Sequence, residues 1–123
     1  MVRLEFGNKK KWFGLDSGAE QNLLNHLAGK RFLKEHFEIR KRVKLRGAGK
    51  ESIEVLTGLL LHAQLDTFTI KPMATILTNL DEINAAYNTN LEGILGYEFL
   101  SQRVMSINIK RKKLTVYTKG PQP

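Results

Sequence analysis

The sequence predicts a mainly β domain with two or three short helices. Three observations predict it. Short runs with alternating apolar residues recur along most of the 123 residues, turn signals separate them, and no strand–helix–strand rhythm of a parallel α/β fold appears. No repeat of 20 to 50 residues is present either, which sets repeat architectures aside. The strands should therefore fold over or close on themselves around one core.

Val2, Leu4 and Phe6 alternate with polar residues, the period of a half-buried strand. Gly7-Asn8-Lys9 is a turn signal, and Trp12, Phe13 and Leu15 form a short apolar run. This predicts a hairpin whose second strand is the more deeply buried. Asp16-Ser17-Gly18 breaks that strand. Leu23, Leu24 and Leu27 then recur at helical spacing before Gly29, which predicts a short helix. Phe32, Leu33 and Phe37 fit either more helix or a packed loop.

Val43 and Leu45 alternate with basic residues into Gly47-Ala48-Gly49, and Ile53, Val55 and Leu56 lead out again. This is a second, longer hairpin. Leu59, Leu61, Ala63 and Leu65 alternate, then Phe68 and Ile70 follow a turn at Asp66, and Met73, Thr75 and Leu77 follow Pro72. Asn79 is a good helix N-cap, with Leu80, Ile83, Ala86 and Tyr87 on one face and Asn88-Thr89-Asn90 as the stop. Gly93-Ile94-Leu95-Gly96 is a tight apolar segment, and Tyr97 to Leu100 suits one helical turn. Val104 to Lys110 and Leu114 to Tyr117 form a closing hairpin, and the tail 119–123 is expected to be disordered.

Composition excludes several functions. There is no cysteine, so disulfides, thiolate metal sites and a cysteine nucleophile are absent. His26, His36 and His62 lack metal-ligand spacing, and no metal or cofactor is expected. No apolar run approaches the ~20 residues of a membrane span. Met1 to Asn8 lacks the apolar length of a secretory signal, so no signal peptide is read in that stretch. The net charge of +8 attracts polyanions in principle. Its densest runs, Lys9-Lys10-Lys11 and Lys110-Arg111-Lys112-Lys113, fall at hairpin turns without interleaved aromatics. They read as solvated turns that discourage strand-edge pairing, in preference to a nucleic-acid surface.

The segment that can carry chemistry is Trp12-Phe13-Gly14-Leu15-Asp16-Ser17-Gly18-Ala19. An apolar strand delivers a carboxylate into a turn of small residues. A buried carboxylate needs nearby donors, and the following hydroxyl and glycine can supply them. Taken alone, the same four residues fit an aspartate that caps a following helix.

The order of the segments resembles the retropepsin-like (retroviral-type) aspartic protease family. Asp16-Ser17-Gly18-Ala19 looks like its catalytic loop, Gly47-Ala48-Gly49 stands where the family carries its flap, and Leu91 to Leu100 looks like its apolar-apolar-glycine motif with the helix after it. The resemblance covers about residues 2 to 118 and is closest to bacterial, Bacteroidetes-like members. It implies a single lobe of an acid-protease barrel spanning residues 1–118, in which Asp16 activates a water. Ser17 would brace the catalytic loop across a two-fold axis, and Gly18 would present backbone to a peptide. Gly47, Ala48 and Gly49 would close over it, with Gly93 and Gly96 packed behind the loop. Glu98 stands where Asp or Asn is commoner. Glu20 and Gln21 are polar additions after the turn, and the flap lacks an aromatic residue.

This chemistry needs two carboxylates that share one proton. Asp66 is followed by Thr67-Phe68 and Asp81 by Glu82-Ile83, so neither repeats the Asp-Ser-Gly pattern. The expectation is a peptide-hydrolysing homodimer, or a chain completed by a second lobe. The alternatives are a catalytically inactive domain of the same fold, half of a longer two-lobed chain acting in binding, and a small basic nucleic-acid-binding β-domain.

Overall fold

The computed structural model describes residues 1–46, 52–102, 104–108 and 113–117, and among these described residues there are eleven strands and three short helices. The predicted flap tip at Gly47, Ala48 and Gly49, the basic turn 109–112 and the tail lie outside the described residues.

β1 (Val2–Phe6) and β2 (Lys9–Leu15) form the predicted hairpin, antiparallel from Val2 opposite Phe13 to Phe6 opposite Lys9. The turn is two residues, Gly7-Asn8. Gly7 takes a φ of 64°, which a residue without a Cβ adopts at little cost. The prediction that β2 is the more buried strand does not hold. Val2, Leu4 and Phe6 are all buried on β1, whereas on β2 only Phe13 is. Trp12 points the other way and is 47% exposed. It stands opposite Arg3, whose guanidinium lies over the indole at 5.7 Å, a cation–π contact on the open face.

The predicted helix over Leu23–Leu27 is instead a strand, β3 (Asn22–Asn25). It runs between two neighbours, parallel to β8 (Met73–Thr78) and antiparallel to β9 (Gly93–Leu95). Asn22, Leu24 and Asn25 are buried and Leu23 is half-buried. A central strand covered on both faces shows no two-residue alternation, which is why the leucines imitate a helix. Leu27, counted into that helix, is 64% exposed in the turn that follows.

The helix comes after Gly29. α1 (Lys30–His36) buries Phe32 and His36 and leads directly into β4 (Phe37–Arg46). β4 pairs antiparallel with β5 (Ser52–Leu60) over almost its whole length, with one register shift between Ile39 and Lys41. β6 (Gln64–Leu65) and β7 (Phe68–Thr69) are two-residue strands around Asp66, as the turn signal predicts.

α2 (Asp81–Tyr87) starts one residue later than an Asn79 cap predicts: Leu80 is the N-cap, and the Asn79 side chain, one residue before it, accepts the Asp81 N–H at 2.8 Å. Its predicted apolar face is not a buried face. Leu80, just before the helix, is 1% exposed, but Tyr87 is 76% exposed and no residue within the helix is buried. Asn88, at φ 51°, ends it. α3 (Tyr97–Leu100) is the predicted single turn and buries Phe99.

One sheet holds nine of the strands in the order β4-β5-β8-β3-β9-β2-β1-β6-β7, and β10 (Val104–Asn108) pairs with β11 (Lys113–Tyr117) as a separate hairpin. Leu4, Phe6, Phe13, Leu24, Phe32, Leu60, Met73, Leu95 and Phe99 meet in one core. Phe6 stands at its centre, edge-on to Phe32 at 4.9 Å and tilted against Phe13 at 6.3 Å.

Two adjacent residues of β2 test the facing. Phe13→Ala should cost about 3–5 kcal/mol of unfolding free energy through the cavity it leaves. Trp12→Ala should cost less than about 1 kcal/mol because it loses only exposed packing. Urea denaturation of the two variants gives the comparison, and equal losses would contradict the assigned faces.

Candidate active site

β2 brings the chain to its rim at Leu15, where it runs parallel to β9, Leu15 opposite Leu95. The pairing continues one step past the strand, since the Asp16 N–H donates to the Leu95 carbonyl at 2.9 Å. The chain then turns. The Ala19 N–H donates to the Asp16 carbonyl at 3.1 Å, and the Gly18 N–H donates to Asp16 Oδ1 at 2.9 Å. The carboxylate thus folds back on its own turn, an arrangement that short acidic side chains favour.

A second set of bonds fixes the turn from behind. The Ala19 carbonyl accepts the Tyr97 N–H at 2.8 Å. The Gly96 N–H donates to Asn22 Oδ1 at 2.9 Å, and Asn22 Nδ2 lies 3.1 Å from Met73 Sδ. Asn22 is fully buried. Its amide therefore replaces water for a backbone N–H that has none.

The glycines behind the turn are required by contact. A Cβ on Gly96 would collide with the Ala19 carbonyl oxygen and lie 2.9 Å from the Ala19 Cβ. A Cβ on Gly93 would collide with the Leu23 carbonyl oxygen and come within 2.5 Å of Phe13 Cε2. Both distances are shorter than a carbon contact allows, so β9 passes this close only because it carries glycine there.

Asp16, Ser17 and Gly18 are exposed, and Ala19 is half-buried. This corrects the expectation of a buried carboxylate. Asp16 lies one residue beyond the end of β2, past the core residues that cover Phe13. It also excludes the helix-cap reading, because the residues after the turn form β3 and not a helix. Glu20 and Gln21 are exposed next to the turn. Gly47, Ala48 and Gly49 lie outside the described residues, so their approach to Asp16 is not defined.

Glu98 has a defined role. Its Oε1 accepts the Ala74 N–H of β8 at 3.2 Å. Gln102 adds to this, accepting the Lys71 N–H at 2.8 Å and donating to the Lys71 carbonyl at 3.1 Å. The helix behind the turn is thereby tied to the central strand. Among the described residues there is no group of three or more His, Cys, Asp or Glu placed to hold a metal, and no helix long and apolar enough to cross a membrane.

The crystal structure of the retroviral protease-like domain of Ddi1 from Leishmania major is similar to this chain with a TM-score of 0.60, over 94% of this chain and 85% of that one, at 20% sequence identity. The chain has a retropepsin-like fold. No family model and no curated relative matches it. At this identity the likeness concerns the fold, and the chemistry rests on the residues of the turn.

Sequence reasoning did not find Asn22. The residue has the composition of a turn, and nothing local distinguishes a buried amide from an exposed one. Asn22→Leu should destabilise the fold by about 1–3 kcal/mol, since it leaves the Gly96 N–H without an acceptor. The urea midpoint measures this. A loss within error of zero would show that the Gly96 N–H finds another partner.

Proposed function

We propose that this chain is one subunit of an aspartic endopeptidase, with Asp16 as its catalytic carboxylate and a second copy supplying the other. The observation that carries the reading is the exposed Asp16 turn, held rigid by β9 and Gly96 at the end of a core strand. A carboxylate so fixed and yet open to solvent suits a site that is closed by another chain. The retropepsin-like fold supports the same chemistry.

The sequence gives the reason for a second copy. Asp66 sits in the β6–β7 turn and Asp81 opens α2, and neither lies in an Asp-Ser-Gly turn. Two Asp16 turns facing across a two-fold axis would bring two carboxyls together. So close, they cannot both ionise, and they hold one proton between them. The ionised carboxylate takes a proton from a water, whose oxygen attacks the peptide carbonyl carbon. The protonated carboxyl donates its proton to the carbonyl oxygen. The tetrahedral intermediate collapses as a proton passes to the amide nitrogen, which leaves as the amine.

On this reading Ser17 would reach across the axis and brace the opposite turn. The Gly18 backbone borders the space a peptide would take, and Gly47, Ala48 and Gly49 are assigned to its cover. The domain on this reading runs over residues 1–118. The comparison gives no support to a bacterial branch in particular, since the similar structure is from Leishmania major.

The test is cleavage of a mixed peptide substrate by the wild-type chain and by Asp16→Asn. The expected result is a loss of about a thousandfold or more in the variant, with an unchanged circular dichroism spectrum. Specific activity of the wild type should also rise with protein concentration as dimers form. Equal cleavage by both proteins would remove Asp16 from the chemistry. No cleavage by either, with a monomer at every concentration, would favour the inactive domain or the half of a longer chain.

A further inference from the structure

The β4–β5 hairpin is the longest element of the sheet, and both of its feet end on a histidine. His36 is the last residue of α1, immediately before β4 begins at Phe37. His62 lies two residues beyond the end of β5 at Leu60. The two rings meet edge to face at 5.2 Å, with Nδ1 of one 3.0 Å from Nδ1 of the other.

A contact between two nitrogens of the same kind constrains the protons. A hydrogen bond needs one donor and one acceptor, so the two Nδ1 atoms must hold one proton between them. When both rings are fully protonated, both nitrogens are donors and both rings are cationic. The contact then becomes a repulsion. We propose that His36 and His62 form an acid-released clasp on the feet of the β4–β5 hairpin, closed while the two Nδ1 atoms share one proton and opened when both rings become imidazolium.

The surroundings favour such a response. His36 is buried, with its ring against Phe6 at 5.4 Å and Phe32 at 5.0 Å, while His62 is exposed. Glu35 Oε2 lies 3.7 Å from His36 Nε2 and is itself paired with Arg31, with the charge of Lys9 on β2 also acting on it. Burial and then the neighbouring imidazole lower the pKa of His36 below the ordinary histidine value, and Glu35 opposes them. The sign follows. As the pH falls, the unfolded chain takes up its proton before the closed clasp does. The stabilisation is complete above about pH 6.5 and is lost as the pH falls through the lowered value of the folded state.

Geometry connects the clasp to the hairpin. The His36 carbonyl accepts the Leu61 N–H at 2.7 Å, next to the first strand pair, Phe37 opposite Leu60. His62 is held at φ 66°, a conformation uncommon for a residue with a side chain. Loss of the ring contact would free that backbone to relax away from β4. The inference does not depend on the chemistry at Asp16. It concerns only the feet of this hairpin, Phe37 opposite Leu60 and the residues next to them.

Amide hydrogen exchange of the whole chain in chelator-treated buffer tests this, with rates corrected for the intrinsic effect of pH. Protection of Leu61 and of the foot of β4–β5 should fall about tenfold between about pH 7.5 and about pH 5.5, while the β1–β2 hairpin changes less than about threefold. His62→Asn keeps a residue that tolerates positive φ and removes one titration. In that variant the pH response at the feet should shrink to that of β1–β2. Imidazole nitrogen shifts of the wild type give a second reading, independent of any variant. At neutral pH one Nδ1 should be protonated and the other not. Two rings that both carry their proton on Nε2, or equal pH responses in wild type and His62→Asn, would overturn the proposal.

Discussion

The close passage of β9 behind the Asp16 turn is the constraint on which the rest of the structure depends. Gly93 lies against Leu23 and Phe13, and Gly96 against Ala19, at separations that no side chain would permit. β9 can therefore lie between β2 and β3, parallel to one and antiparallel to the other. The Leu95 carbonyl then meets the Asp16 N–H and the Gly96 N–H meets Asn22. A carboxylate exposed at the edge of a sheet would ordinarily sit on a mobile loop. Here its backbone is bonded to β9 and to the segment that enters α3, and those are anchored in the core by Leu95 and Phe99.

The same logic distributes rigidity over the molecule. The centre of the sheet is fixed by buried contacts and by amide bonds to backbone, as at Asn22 and at Glu98 on Ala74. The β4–β5 hairpin lies at the end of the strand order, with β5 against β8 and β4 at the edge. Its charges are on the surface, with Arg40 paired to Glu38 at 2.7 Å and Arg42 to Glu54 at 3.0 Å. Exposed pairs of this kind contribute little. The hairpin is therefore held chiefly by its ladder, by Phe37, Val55 and Leu60 in the interior, and by what joins its feet.

Much of this was legible in the sequence. β1, the β1–β2 hairpin and the inner part of the β4–β5 hairpin follow from alternation and turn residues, Gly93 to Gly96 is marked only as a tight apolar segment, and Asp16 stands out as a carboxylate at the end of an apolar strand. What was not legible depends on neighbours distant in sequence. β3 reads as a helix because β8 and β9 flank it and bury both its faces, which removes the period of two. Trp12 reads as core because hydrophobicity does not reveal that Arg3 covers it outside. Tyr87 completes an apolar stripe on α2 that the fold leaves in solvent. Asn22 carries no local mark of burial, since its partners are 51 and 74 residues away. The exposure of Asp16 was hidden for a related reason. The sequence shows the strand that delivers the carboxylate but not how far beyond the core that strand ends.

The account stands on a single carboxylate per chain, rigidly presented and open, that meets its own duplicate. A crystal structure of the assembled protein would measure this most directly, as the distance between the Asp16 carboxyl and the nearest carboxyl of another copy. The account predicts a two-fold axis passing between two Asp16 turns, with the carboxyls about 3 Å apart and sharing a proton. Two copies whose Asp16 side chains both face bulk solvent, in a protein that sediments as a monomer, would contradict it.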